Sequence, residues 1–284
     1  MKSCTLLLAA ALGASGMALS GPPAVAASDP KPPKLASSDY RTVDPENLLV
    51  IDTEKGRILV EMYPEIAPAS VARVKALARA KFYDGLMFHR VVDDFMAQGG
   101  DPKGDGSGGS GQSLKGEFTF RRGPDLPYIT AAAGNGYEDG FFKSMPVRTQ
   151  SNDLMLMMAD GKVPAWGLWC PGVAGMARAG DPDSADSQFF LMRQFNDQLE
   201  KKYTPWARVA EGEEVVRSLA VGQPPPKPDH MLTVRVMSDL PPAQQTKVQV
   251  PDTQSPGFKA LLAYDKTLHG GSFSVCDVDL FAKP

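Results

Sequence analysis

The middle of the chain alternates short apolar runs with turn-forming polar segments. Residues 48–51 are four consecutive aliphatic side chains, residues 53–56 carry a turn that ends in glycine, and residues 57–62 return as a second apolar run. Short apolar runs bounded by turn residues are typical of buried strands, so this region predicts a β-hairpin. Further along, residues 231–237 alternate like one more strand.

A helix is predicted soon after the hairpin. Pro68 suits a first helical position, because its fixed φ matches the helix and its missing N–H is not needed there. Val71, Val74, Leu77 and Ala78 then recur at near-helical spacing. This spacing gathers them on one face, which we expect to be buried.

The stretch 88–101, FHRVVDDFMAQGGD, combines strand alternation with unusual chemistry. On a strand, His89 lies on the face opposite Arg90, so we interpret His89 as a structural hydrogen-bonding residue. After a bend, Phe95 and Met96 offer apolar surface, and the double glycine permits a turn that residues with a Cβ resist. An arginine beside two large apolar side chains is unusual in a plain core and indicates a shallow apolar trough with one positive donor at its edge.

This stretch resembles the signature of the cyclophilin family of peptidyl-prolyl isomerases, F-H-R, two hydrophobic residues and then x-x-F-M-x-Q-G-G-D, and every fixed position is present. A second block, GVAGMARAG at 172–180 followed by SQFFLM at 187–192, resembles the family's other active-site segment. The resemblance covers residues 47–237. It implies a mainly β fold, a closed antiparallel eight-stranded barrel capped by two α-helices.

The resemblance also implies the roles of individual residues. Arg90, Phe95 and Gln98 correspond to catalytic positions, with Arg90 as the fixed donor near the nitrogen of a twisted X-Pro amide. Seven further residues correspond to substrate-binding positions: Met96, Ala177, Arg178, Gln188, Phe190, Leu199 and Tyr203. No covalent step is needed, because rotation requires only that the twisted amide be bound better than either planar form.

Three positions depart from the family's pattern. The family commonly has tryptophan or phenylalanine where this chain has Gln198, just before Leu199, so one wall of the site is expected to be open. We therefore predict weak binding of the macrocyclic inhibitor cyclosporin. Tyr203 stands where many members have a histidine, and Arg178 replaces the asparagine of some members, a mild change because the main chain makes the contact.

Two segments lengthen the family's pattern. An insertion occupies about residues 124–168, in which 128–133 and 154–158 predict added strands or a hairpin on either side of an ordered loop. Residues 238–284 are a C-terminal extension that we expect to pack on the barrel. Within it, residues 273–281 alternate like one more strand.

The N-terminus predicts export. Residues 1–26 have a positive start, an apolar stretch and a final A-x-A pattern, which together are typical of a cleaved signal peptide. Residues 27–46 are polar and proline-rich and are interpreted as a tether, so we expect a periplasmic or secreted protein. Cleavage leaves Cys170 and Cys276, which either form a disulfide or are two small buried hydrophobic residues; the sequence leaves both interpretations open.

Composition and charge exclude several classes. The 284 residues carry a formal net charge of −3, without the basic footprint of a nucleic-acid-binding protein. No apolar run of about 18 or more residues lies beyond the N-terminus, so we expect no membrane span. The three histidines are scattered, and we expect neither a metal ion nor another cofactor. The glycine-rich residues 104–111 lack the G-K-[ST] ending of a phosphate-binding loop and are interpreted as a flexible loop beside the site.

The favoured function is that of an exported prolyl isomerase that assists protein folding. Its expected partners are proline-containing segments of unfolded or partly folded proteins, and we expect a monomer. The alternative is a catalytically weak cyclophilin-like module that binds proline-containing segments of a partner protein, which Gln198 and the added segments favour. A third hypothesis is an accessory subunit, which an extensive apolar patch on the added segments would support.

Overall fold

The computed structural model describes residues 31–282, so the predicted signal peptide lies outside the described residues. The strands are β1 Tyr40–Thr42, β2 Leu48–Thr53, β3 Gly56–Met62, β4 Leu86–Met87, β5 Arg90–Val92, β6 Met96–Gly99, β7 Phe120–Arg122, β8 Tyr128–Gly134, β9 Tyr137–Phe142, β10 Met145–Gln150, β11 Val163–Gly167, β12 Val173–Met176, β13 Phe189–Met192, β14 Pro205–Glu211, β15 His230–Val236 and β16 Gln249–Pro251. The α-helices are α1 Pro68–Arg79, α2 Asn152–Met157, α3 Glu213–Ser218 and α4 Pro256–His269. None of these helices has the length and apolar character that a membrane crossing requires.

The main sheet has nine antiparallel strands in the order β4-β15-β2-β3-β14-β12-β13-β6-β5. Its two edge strands, β4 and β5, are separated in the chain by Phe88 and His89 alone, so the sheet must curl until its edges meet. The chain bends at these two residues, while the Phe88 N–H continues the β4–β15 pairing by donating to the carbonyl of Asp229 at 2.9 Å. The fold is therefore mainly β, as predicted, but the closed eight-stranded barrel is wrong.

The predicted hairpin and helix both form where expected. Val71, Val74 and Ala78 are buried on one face of α1, which follows the β2–β3 hairpin. Ala67 before the helix offers no side-chain cap. The Glu117 carboxylate replaces it, accepting the N–H groups of Ala69 and Ser70 at 2.9 Å each. A carboxylate at this end also interacts favourably with the helix dipole.

The insertion builds a second sheet, ordered β7-β11-β10-β9-β8. The strand predicted over 128–133 is confirmed as β8. The predicted ordered loop is wrong, because a two-residue Asn135-Gly136 turn, with φ of 53° and 79°, leads into β9 and β10. Both residues have the positive φ of a type I′ hairpin turn, which Asn-Gly strongly favours.

The strand predicted over 154–158 is also wrong, since these residues belong mostly to α2. Ser151 caps this helix by accepting the N–H of Leu154, and its leucines and methionines, which are not branched at Cβ, are good helix formers. Leu156 and Met157 leave 88% and 81% of their surface exposed.

Residues near the two ends of the described chain pair with each other. Residues 40–42, which we assigned to the tether, form β1 and pair with β16. The Asp39 carboxylate accepts the N–H of Gly257 at 3.0 Å, at the start of α4. Phe258 of α4 lies edge-on to Phe141 of the insertion, with ring centroids 5.8 Å apart.

The C-terminal segment is held covalently. Cys170 and Cys276 form a disulfide, with Cα atoms 5.2 Å apart, which settles the two interpretations that the sequence left open. The strand predicted over 273–281 is wrong. Ser274 and Asp277 cap each other across a 3-10 turn, Val275–Asp277, which ends strand alternation at this point.

Candidate functional site

One cavity of about 150 Å³ is lined by nine of the ten residues that the resemblance singles out. Four of them come from the signature stretch, and the rest come from the second block and the segment after it. They are Arg90, Phe95, Met96, Gln98, Ala177, Arg178, Phe190, Leu199 and Tyr203. The tenth residue, Gln188, lines a neighbouring cavity of about 490 Å³ that shares Gln98, Ala177 and Arg178 with the first.

One side of the cavity is set by strand register. Arg90 on β5 is opposite Gln98 on β6, Gln98 is opposite Phe190 on β13, and Phe190 is opposite Gly175 on β12. Residues directly opposite one another on neighbouring strands point to the same face. We call this side, formed by Arg90, Met96, Gln98 and Phe190, the strand wall.

Gly175 is needed in this row. A Cβ at this position would lie 2.4 Å from the Phe190 ring and 2.5 Å from the Trp169 ring. The Trp169 and Phe190 rings lie 5.4 Å apart and are inclined by 31°, and both are buried. The missing side chain therefore lets Phe190 lie over β12 and form an apolar floor.

The Arg90 guanidinium is held loosely. Its Nε donates to Gln223 Oε1 at 3.3 Å, and Nη1 lies 3.5 Å from Gln98 Oε1 and 3.7 Å from Met96 Sδ. Its central carbon is 5.7 Å from the centroid of the Phe95 ring. Within residues 31–282 no carboxylate forms an ion pair with it, so this arginine can donate strong hydrogen bonds to a ligand.

Two glutamines connect the cavities. Gln98 Nε2 donates to Gln188 Oε1 at 2.9 Å, and Gln188 Nε2 donates to the carbonyls of Gly106 and Gly108 at 3.0 and 2.8 Å. The glycine-rich loop is thus tied to the site through its main chain. Asp101 fixes the same loop by accepting main-chain N–H groups, including that of Lys103 at 2.8 Å.

The opposite side of the cavity is a turn and not a strand. We call residues 199–203, which carry the buried Leu199 and the half-buried Tyr203, the loop wall. Gln198 is exposed and does not line the cavity. Arg178 lines it with its own side chain, whose guanidinium lies 4.6 Å from the Tyr203 ring centroid while Nε donates to the Lys202 carbonyl at 2.8 Å.

His89 is not the structural hydrogen-bonding residue that we predicted. Its side chain is buried, and neither ring nitrogen has a hydrogen-bond partner among the described residues. Burial lowers the pKa of His89, against the opposing effect of the Asp101 and Asp105 carboxylates. The imidazole is therefore kept neutral on the face behind Arg90.

Sequence reasoning missed Gln223 and Trp169. Gln223 reaches Arg90 because Val91 and Gly222 exchange two main-chain hydrogen bonds of 2.8 and 2.9 Å, which hold the loop after α3 against β5. Neither residue belongs to a motif or a periodic pattern. Only the folded chain brings them to the cavity.

Comparison with known proteins points to one family. The family described as "Cyclophilin type peptidyl-prolyl cis-trans isomerase/CLD" matches residues 48–237. A Brucella suis protein named "Probable peptidyl-prolyl cis-trans isomerase" is 32% identical over 179 residues, which are 63% of this chain and 74% of that protein. A Synechococcus elongatus protein named "Peptidyl-prolyl cis-trans isomerase" is 29% identical over 192 residues, 67% of this chain and 96% of that protein.

A solved structure agrees in fold. The crystal structure of cyclophilin AquaCyp293 from Hirschia baltica matches with a TM-score of 0.78 and 35% sequence identity. The match covers 85% of this chain and 91% of that one.

Proposed function

The chain belongs to the cyclophilin-type peptidyl-prolyl cis-trans isomerase family, and we propose that it accelerates rotation about X-Pro bonds by binding the twisted amide without a covalent step. The observation that carries the mechanism is the row of Arg90, Gln98 and Phe190 across three strands. This row places a cation, an amide and an apolar floor on one face of the sheet.

The site has to stabilise only a rotated amide, and no bond needs to break. Rotation about a peptide bond is slow because a barrier of about 18–20 kcal/mol opposes it, although the two planar forms before proline differ little in energy. In the twisted state the nitrogen regains a lone pair, which Arg90 can stabilise. A charge-assisted hydrogen bond contributes about 1.5–3 kcal/mol, which is one to two powers of ten in rate.

The rest of the acceleration comes from holding one side of the bond still. We assign the proline ring to the apolar space between Phe95, Met96, Phe190, Leu199 and Tyr203. This assignment is supported by their common cavity and by the burial of Phe190 and Met96, which are 4% and 1% exposed. A ring held in this space is removed from water while the flanking carbonyl rotates.

The substrate main chain is assigned to polar groups at the junction of the two cavities. Gln98 and Gln188 are half-buried and face this junction. The N–H of Ala177 already donates to the carbonyl of Gln188 at 2.9 Å, so we assign pairing with the substrate to the neighbouring main chain of Arg178. The prediction of weak cyclosporin binding rests on Gln198, which contributes no apolar surface to the cavity.

We further propose that the protein acts as a monomer on unfolded exported proteins. The predicted signal peptide over 1–26 supports a periplasmic or secreted location. The Cys170–Cys276 disulfide supports it independently, since such bonds persist mainly in oxidising compartments.

The second candidate is a catalytically weak module that binds proline-containing segments of a partner. The exposed Gln198 favours it, because the cavity lacks one apolar side there. Both candidates use the same groove, so only the rate of rotation separates them.

The deciding experiment measures isomerisation of an Ala-Ala-Pro-Phe peptide with a coupled protease at low temperature, where the uncatalysed reaction takes minutes. We expect acceleration by the wild type and a loss of about tenfold or more in Arg90→Ala. Arg57→Ala is the matched control, since Arg57 forms only a surface ion pair with Asp52, and it should keep full activity. Peptide binding by a folded wild type without acceleration would establish the binding module instead.

A further inference from the structure

The insertion contacts the site at the loop wall. The side chains of Glu200 and Lys201, between Leu199 and Tyr203, contact the insertion sheet and not the cavity. Trp166 Nε1 donates to Glu200 Oε2 at 2.8 Å, and Arg148 Nη1 lies 3.4 Å from the same oxygen. The carboxylate therefore joins the loop wall to two strands of the insertion.

A second contact lies beside the first. The Lys201 ammonium is 3.7 Å from the centroid of the Trp166 ring and 5.7 Å from that of Tyr137. The two rings meet edge-on with centroids 5.2 Å apart. An ammonium at this distance from an indole face is a favourable cation–π interaction.

The receiving surface is ordered by strand register. Asp139 on β9 is opposite Arg148 on β10, and Arg148 is opposite Trp166 on β11, so the three side chains share one face. Asp139 also fixes Arg148 by accepting two hydrogen bonds of 2.6 and 2.8 Å. The insertion sheet thus holds Asp139, Arg148 and Trp166 in a row that faces the loop wall. The main sheet holds Arg90, Gln98 and Phe190 in a similar row that faces the cavity.

The loop wall also packs inward, since Leu199 is buried in the main hydrophobic core and the Tyr203 ring lies edge-on to Phe190 with centroids 5.9 Å apart. Its own main-chain bonds are local, from Lys202 and Tyr203 to the carbonyl of Leu199 at 3.1 and 3.2 Å. Lys201 adopts a left-handed φ of 57°, which non-glycine residues rarely take without support. Besides the insertion, Arg178 contacts this wall from the cavity side.

We propose that the insertion sheet is a positioning support for the proline pocket. Trp166, Arg148 and Tyr137 bind Glu200 and Lys201, and thereby hold Leu199 and Tyr203 at the depth that a proline ring requires. This inference rests on the proposed function, because it assigns the ring to the cavity. It gives the insertion a role in substrate affinity and none in the rotation step.

The test compares Lys201→Ala, Lys201→Arg and Lys143→Ala in the full chain. Lys143 is a matched control, since it also lies over an aromatic ring of the insertion, 5.3 Å from the Phe142 centroid, but pairs with Glu65 away from the loop wall. The measurements are the Kd of an Ala-Ala-Pro-Phe peptide, kcat and KM, and hydrogen exchange at the Lys202 and Tyr203 amides.

We expect Lys201→Ala to weaken peptide binding and raise KM by about threefold to tenfold with kcat unchanged. The two amides should exchange faster in this variant. Lys201→Arg should restore both properties, because a guanidinium also stacks on indole, and Lys143→Ala should behave as the wild type.

Unchanged affinity in Lys201→Ala would overturn the proposal, and so would an equal loss in Lys143→Ala or no recovery in Lys201→Arg. The proposed function fails separately, through a wild type that binds the peptide but does not accelerate its isomerisation. In that case the Kd comparison still decides whether the insertion supports the pocket.

Discussion

The strand wall of the pocket is fixed by main-chain ladders, whereas the loop wall is fixed by side chains. Arg90, Gln98 and Phe190 are neighbours because β5, β6 and β13 pair in register. Leu199 and Tyr203 pack on the core and on Phe190, and their turn is held by Glu200 and Lys201 on one side and Arg178 on the other. Most single substitutions leave main-chain pairing intact, whereas a wall held by a few side chains can be loosened by a single substitution.

The disulfide is expected to have the largest effect, and to act on the loop-wall side. Cys170 follows Trp169, whose carbonyl accepts the N–H of Asn196 at 3.2 Å just before the loop wall begins. The bond spans 106 residues, so the Cys170→Ser/Cys276→Ser double variant should lose about 2–4 kcal/mol in the free energy of unfolding, measured in denaturant. Reduced wild type is the control and should match the variant. Equal stability of the oxidised and reduced forms would contradict this prediction.

A smaller effect is expected from Gly175→Ala on the strand wall. The added methyl group would press on the Phe190 and Trp169 rings, at a cost of about 1–3 kcal/mol in unfolding free energy and with a lower kcat/KM as Phe190 is displaced. Gly180→Ala is the matched control, since a Cβ at Gly180 would meet no atom within 4 Å. If both variants kept the kcat/KM of the wild type, the position of Phe190 would not depend on the missing side chain at Gly175.

The smallest effect concerns pH and His89, which lies on the face behind the strand wall. Burial lowers the pKa of His89 below the value of about 6.5 for an unfolded chain. The unfolded state then binds the extra proton, so stability should be full above pH 6.5 and fall as the pH drops below it, by at most about 1.4 kcal/mol per pH unit. Denaturant unfolding between pH 7 and 5 tests this, and His89→Leu should flatten the dependence. If His89→Leu showed the same slope of unfolding free energy against pH as the wild type, other groups would be responsible for the pH dependence.

The errors in predicting the fold had two different origins. Asn135-Gly136 carried a local hairpin signal that went unused, and the turn formed as that dipeptide favours. Residues 154–158 are apolar without a clear period, so their sequence did not distinguish a strand from the helix that Ser151 caps. The closed eight-stranded barrel was implied by the resemblance alone, whereas the main sheet has nine strands and no ladder joins β4 to β5 within the described residues.

The sequence by itself determined the hairpin and the first helix, because periodicity and turn signals act over a few neighbouring residues. The candidate site residues came from the two blocks that resemble the family's motifs and from the segment after the second block. Nine of those ten residues line one cavity because β5, β6 and β13 pair in register and the turn at 199–203 lies opposite them. The tertiary structure alone decided that Cys170 and Cys276 are bonded, that Gln223 reaches Arg90 and that Lys201 packs on Trp166. Each of these joins residues far apart in the chain, and no local pattern of hydrophobic and polar positions encodes which distant surfaces will meet.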